Sequence, residues 1–127
     1  MSGPARLGLF IYAVHSKRDA DFYCAIADMT ILHEREDLIV LQSADIQLLI
    51  HKIPDDIAKD ITIESPPLRR ENTALKFFFT VQSVEKARET ANQLGGQVLP
   101  EIWDGSGFVA CNALDPEGNV FQIRESI

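Results

Sequence analysis

One order of patterns occurs twice in this chain, and that repeat restricts the fold more than any other feature. In residues 6–51, the run Leu7-Gly8-Leu9-Phe10-Ile11-Tyr12-Ala13-Val14 is rich in β-branched and aromatic residues and reads as a strand. A helix follows to about Ala27, with Ser16 or Asp19 placed to cap it and Ala20, Tyr23 and Cys24 or Ala27 on its inner stripe. Three short strands come next, around residues 31–33, 38–41 and 45–51. In residues 74–125 the order returns. Residues 75–81 form a strand, Ser83 caps a helix from Val84 to about Leu94, and Gly95-Gly96 stops it. Strands then follow at residues 97–99, 107–111 and 120–125. Each β-α-β-β-β unit alone leaves its sheet half covered, and two together bury a common core. The expectation is an α+β fold in a single domain, 1–127. Its modules occupy 6–51 and 74–125, joined by a linker or arm over 52–73 that carries Pro54, Pro66 and Pro67 and is long for a connection inside a compact unit.

Composition narrows the partners. The net charge is −7, and no basic cluster exceeds Arg69-Arg70, so nucleic acid is not expected as a partner because phosphate neutralisation needs a basic stripe. No apolar run reaches membrane-spanning length, and Met1-Ser2-Gly3-Pro4-Ala5-Arg6 lacks the apolar segment of a secretion signal. Cys24 and Cys111 stand alone without a CxxC and read as reduced thiols. A cytoplasmic protein is expected.

The most specific local motif is Asp115-Pro116-Glu117-Gly118-Asn119, which has the residues of a type I turn. It feeds Val120-Phe121-Gln122-Ile123-Arg124-Glu125. Alternation sends Phe121 and Ile123 to one face and Gln122 and Arg124 to the other. The first face reads as core. The second places an amide and a guanidinium on a rigid strand, where a small-molecule site can be built.

This motif, together with Phe22-Tyr23 and the segment from Phe79-Thr80-Val81 to Leu94-Gly95-Gly96, resembles the vicinal oxygen chelate superfamily. That group includes glyoxalase I, bleomycin-resistance proteins and extradiol dioxygenases. The resemblance runs from Leu7 to Glu125. It implies paired βαβββ modules with curled mixed sheets that form a cup, usually completed in a homodimer. Metal-dependent members carry one ligand at each of four cup-facing strand positions. Those positions fall here on Gly8, Gln47, Lys76 and Gln122. Glycine has no donor, an ammonium repels a cation, and amide oxygens bind weakly without carboxylate neighbours. No metal and no other cofactor is therefore expected.

The candidate ligand-binding residues share strand parity with those positions. Phe10 and Tyr12 go with Gly8, Leu49 and His51 with Gln47, Phe78 with Lys76, and Arg124 with Gln122. Phe108 and Trp103, the latter read as a loop residue, complete an aromatic wall suited to a planar ligand. Lys76 and Arg124 make the floor cationic, suiting a carboxylate, phenolate or phosphate, unless acids such as Asp45 or Glu125 pair with them. Gln47 and Gln122 either bond to each other or the backbone, or meet a ligand. His15 and His33 read as structural or surface residues, with no helix-spaced metal pair among the histidines. Cys111 reads as a buried, inert thiol, and no catalytic residue is assigned. The function ranked first is metal-independent binding of a small aromatic or anionic compound by a homodimer. An enzyme of the same superfamily (a lyase, isomerase or dioxygenase) stands second. A scaffold whose cup is filled by its own side chains stands third.

Overall fold

The computed structural model describes residues 5–127, so part of the Met1–Arg6 segment lies outside the described residues. The first module comprises β1 (Gly8–Ala13), α1 (Ser16–Ala27), β2 (Thr30–Glu34), β3 (Leu38–Gln42) and β4 (Gln47–Lys52). A short α2 (Asp55–Ala58) opens the arm. The second module comprises β5 (Phe78–Thr80), α3 (Val84–Gln93), β6 (Gln97–Val98), β7 (Trp103–Gly105), β8 (Phe108–Leu114) and β9 (Val120–Ser126). Its first strand begins later than expected, and β8 runs on to Leu114 rather than stopping at Cys111.

Each module builds one mixed sheet. The first has strand order β1-β4-β3-β2, and the second β5-β9-β8-β6, with β7 also paired to β8. In both, the strand before the helix lies parallel to the last strand: Gly8 opposite Gln47 in the first, Phe78 opposite Gln122 in the second. The sequence repeat is thus a repeat of register.

The two sheets turn their helix-facing sides into one core. Ile11, Leu41, Leu48 and Ile50 of the first sheet share it with Cys111, Ala113, Phe121 and Ile123 of the second. The inner stripe of α1 is Ala20, Phe22, Tyr23 and Ile26, with Cys24 and Ala27 only half buried. Tyr23 lies 5.4 Å from Phe121, centroid to centroid, and Phe121 stacks on Phe77 at 5.6 Å. These rings join the first helix to the second sheet, a contact in the range where aromatic pairs add to burial.

The helix ends show which residues organise the chain. Ser83 caps α3 as expected, its hydroxyl accepting from the Lys86 amide, and Gly95 (φ 90°) ends the helix in the left-handed region. At α1 the expectation fails. His15 holds the cap position without a side-chain bond, and neither Ser16 nor Asp19 caps. Glu117 of the distant turn substitutes, its carboxylate accepting the Val14 and His15 amides at 2.8 and 2.7 Å.

The Asp115 turn is a junction of three parts of the chain. Asp115 accepts hydrogen bonds from the Tyr23 hydroxyl, the Glu117 and Asn119 amides and the Asn119 side chain. Arg18 donates to the Pro116 carbonyl. The arm docks here too. The Arg70 amide donates to the Gly118 carbonyl and its Nε to the Glu117 carbonyl, while Pro67 is buried.

Asp19 is fully buried in this junction, and neither carboxylate oxygen receives a hydrogen bond from a described residue. A buried charge without a donor is costly. Burial first, and then the neighbouring Asp115 charge, hold the Asp19 carboxyl well above the usual carboxylate range. Burial thus favours a proton on Asp19; it also raises the Asp115 carboxyl, but there the Asn119, Tyr23 and Glu117 donors favour the charged form.

Candidate functional site

The faces turned away from the core carry the residues singled out from sequence. On the first sheet, Phe10 and Tyr12 are more than half exposed, and Gln47, Leu49 and His51 are half buried beside them. Phe10 and Tyr12 stack with ring centroids 6.3 Å apart, and Tyr12 lies 5.5 Å from the His51 ring. His51 Nδ1 is 2.9 Å from the Lys52 carbonyl oxygen. A carbonyl only accepts, so Nδ1 carries the proton and a neutral ring leaves Nε2 as an acceptor with no hydrogen-bond partner among the described residues.

On the second sheet, Phe78, Phe108, Gln122 and Arg124 share the exposed face. Trp103 joins them by pairing with Ala110, which itself lies opposite Arg124. Trp103 belongs to an edge strand rather than a loop, and it remains 43% exposed. The chain thus distributes the eleven candidate residues over two sheet faces. Phe10, Tyr12, Gln47, Leu49 and His51 lie on one, and Lys76, Phe78, Trp103, Phe108, Gln122 and Arg124 on or at the edge of the other. A surface cleft of about 880 Å³, lined by Ala25, Asp28, Gln42, Thr80 and Lys86 among others, contains none of the eleven.

The polar groups on the second face are held differently from expectation. No acid pairs with Arg124 or Lys76 among the described residues. The Arg124 carbon Cζ lies over the rings of Phe78 and Phe108, at 3.8 and 4.3 Å from their centroids, and Nε donates to Gln122 Oε1 at 2.8 Å. Glu125 faces the other side, where it accepts the Val84 amide at the start of α3. Asp45 bonds to Ser43. Lys76 Nζ donates to Asn112 Oδ1 at 3.2 Å. Asn112 lies opposite Gln122 and was not among the sequence candidates, because the strand was expected to end one residue before it. Continued alternation from Phe108 would have put it on this face.

Register also moves one of the four positions at which the resemblance implied metal ligands. Gly8 pairs with Gln47, and the equivalent partner of Gln122 is Phe78 rather than Lys76. Lys76 precedes the strand. A set of glycine, phenylalanine and two amides offers a divalent ion no anionic or imidazole ligand, so these residues do not fit a metal site. Among the described residues, no three His, Cys, Asp or Glu side chains gather in a metal-binding group.

The sequence profile of the glyoxalase-like domain matches residues 9–124. The chain belongs to the glyoxalase-like domain family. Solved structures with the same fold agree. A glyoxalase/bleomycin resistance protein/dioxygenase family enzyme from Burkholderia phytofirmans superposes with a TM-score of 0.72 at 14% identity, covering 98% of this chain and 100% of that one. A genomically encoded fosfomycin resistance protein from Listeria monocytogenes gives 0.65 at 15% identity, over 100% and 93% of the two chains. A glyoxalase/bleomycin resistance protein from Albidiferax ferrireducens gives 0.66 at 14%, over 95% and 98%. At these identities the likeness is one of fold. No curated protein is significantly similar to the chain. Among the described residues of this glyoxalase-like protein, no helix is long and apolar enough to cross a membrane.

Proposed function

We propose that this protein binds a small aromatic or anionic molecule without a metal ion, in a cup that two copies of the chain complete. The observation that carries the reading is the pair of exposed aromatic faces. Phe10, Tyr12, Phe78 and Trp103 are 53, 58, 52 and 43% exposed, although each sits on a sheet whose opposite side is core. Large aromatic side chains clustered on an open sheet face mark interaction or ligand surfaces. One face carries a free imidazole acceptor and the other a guanidinium with no acid partner among the described residues. Set against each other in a dimer, they make an apolar cup with a few polar groups, the usual composition of a small-molecule site. The mismatched metal positions support metal-free binding. The same exposure counts against a scaffold that fills its own cup, because Phe10, Phe78 and Trp103 leave the surface open rather than plug it.

An enzymatic reading has one specific observation in its favour: the His51 tautomer leaves Nε2 free to take a proton. In that case the protein is a lyase or isomerase acting through this base without a metal. Proteins of the same fold include both an enzyme and resistance proteins.

Sedimentation velocity and a thermal-shift screen against aromatic acids and planar antibiotics test the proposal together. It predicts a dimer that Tyr12→Glu dissociates. It also predicts ligands that raise the melting temperature of the wild type but not of the dissociated variant. A monomer at micromolar concentration, or no shift across a broad library at saturating concentration, would count decisively against it.

A further inference from the structure

Arg124 stands in the middle strand of its local group, β5-β9-β8, and is flanked by a ring from each neighbour: Phe78 on β5 and Phe108 on β8. The strand register explains this. Phe78 lies opposite Gln122 and Phe108 opposite Ser126, one step to either side of Arg124 on the same face. Two aromatic faces satisfy the guanidinium by cation–π contact but supply no hydrogen-bond acceptor. The Nε edge is spent on Gln122. No hydrogen bond from Nη1 or Nη2 to any described residue is present, and no carboxylate among the described residues comes within ion-pair distance. The half-buried guanidinium is therefore fixed at its sides and free at its outer end, in a protein whose net charge is −7. Arg35, Arg69 and Arg88 each pair with an aspartate or glutamate. Arg124 does not, and Glu125 beside it is turned to the opposite side of the sheet. A second cation, Lys76, is held at the edge of the same face by Asn112.

We infer that the outer edge of Arg124 is a carboxylate-binding subsite, and that the ligand of the cup is a planar aromatic or conjugated carboxylic acid. A carboxylate matches the end-on fork of a guanidinium with two parallel N–H···O bonds. A flat group extending outward keeps clear of the two flanking rings. A tetrahedral phosphoryl group places oxygens out of that plane, toward the rings. The inference rests on the ligand-binding reading above and narrows it to one chemical class.

Isothermal titration with trans-cinnamate, trans-cinnamamide and phenylphosphonate tests it on the full-length protein. Cinnamate is expected to bind the wild type, the uncharged amide and the phosphonate at least about tenfold more weakly. Arg124→Gln and Arg124→Lys are each expected to weaken cinnamate roughly tenfold to hundredfold, because a lysine keeps the charge but loses the fork. Circular dichroism of each variant establishes that it is folded, and the contrast between acid and amide needs no variant at all. Equal binding of acid and amide, equal binding of phosphonate, or undiminished binding by Arg124→Lys would overturn the carboxylate assignment and leave the cup as a binding site. If neither these probes nor neutral planar compounds bind, the broader reading falls with it.

Discussion

Asp19→Asn should change how stability depends on pH, and by a calculable amount. Asp19 is fully buried, with no donor to either oxygen among the described residues and with Asp115 and Glu117 as acidic neighbours; the Arg18 charge acts the other way, as a smaller cause. Its carboxyl is held well above the ordinary range, burial being the larger cause and the Asp115 charge the next. In the unfolded chain the same group titrates near pH ~3.9. Below that pH both states hold the proton and nothing is lost. As pH rises, the unfolded chain releases its proton while the folded chain keeps it, so stability falls by about 1.4 kcal/mol per pH unit until the folded carboxyl itself ionises. Asparagine keeps the shape of the carboxyl and cannot ionise. Urea unfolding of both proteins at several pH values isolates the effect as a difference, since the other titrating groups are common to both. The variant should gain on the wild type steadily above about pH 4. Parallel stability curves would show that Asp19 is not protonated in the folded state and would refute the argument.

Two further perturbations probe the same junction. Tyr23→Phe removes the buried hydroxyl that donates to Asp115 Oδ2 at 2.8 Å, and should cost about 1–3 kcal/mol in equilibrium unfolding; a neutral result would mean the carboxylate is satisfied without it. Gly118→Ala drives a Cβ into the Leu68 carbonyl oxygen at a residue with φ 86°. The backbone conformation alone costs about 1–2 kcal/mol, and the arm must also lift from the turn. Faster hydrogen exchange in residues 60–75 is the expected signature, and unchanged exchange would contradict the docking of the arm.

Much of the fold was readable because local patterns agreed with the global one. Alternation in residues 120–125 placed Phe121 and Ile123 in the core and Gln122 and Arg124 outside, and the structure does the same. Ser83 and Gly95 mark the ends of α3 because their signals are local. The cap of α1 was hidden for the opposite reason. It comes from Glu117, about a hundred residues away, and no spacing rule finds it. Asp19 misled because an aspartate near a helix start usually caps it, whereas here tertiary packing buries it against another acid. At the candidate site, the parity of Phe10, Tyr12 and His51 came through, but the partners of the cations did not. Arg124 could not be assigned to two rings from strands far apart in sequence, and the one-step shift from Lys76 to Phe78 emerged only from register.

The central claim is that the cup holds its ligand without a metal ion. The most direct measurement is a thermal-shift titration with aromatic carboxylic acids on protein stripped with a chelator, repeated with added magnesium, manganese and zinc. A native-state ligand at a hundred times its dissociation constant should stabilise by about 2.7 kcal/mol, a shift of several degrees for a domain of this size. The account predicts that shift in the stripped protein, unaltered by any of the ions. A shift that appears only after a divalent ion is restored would contradict it.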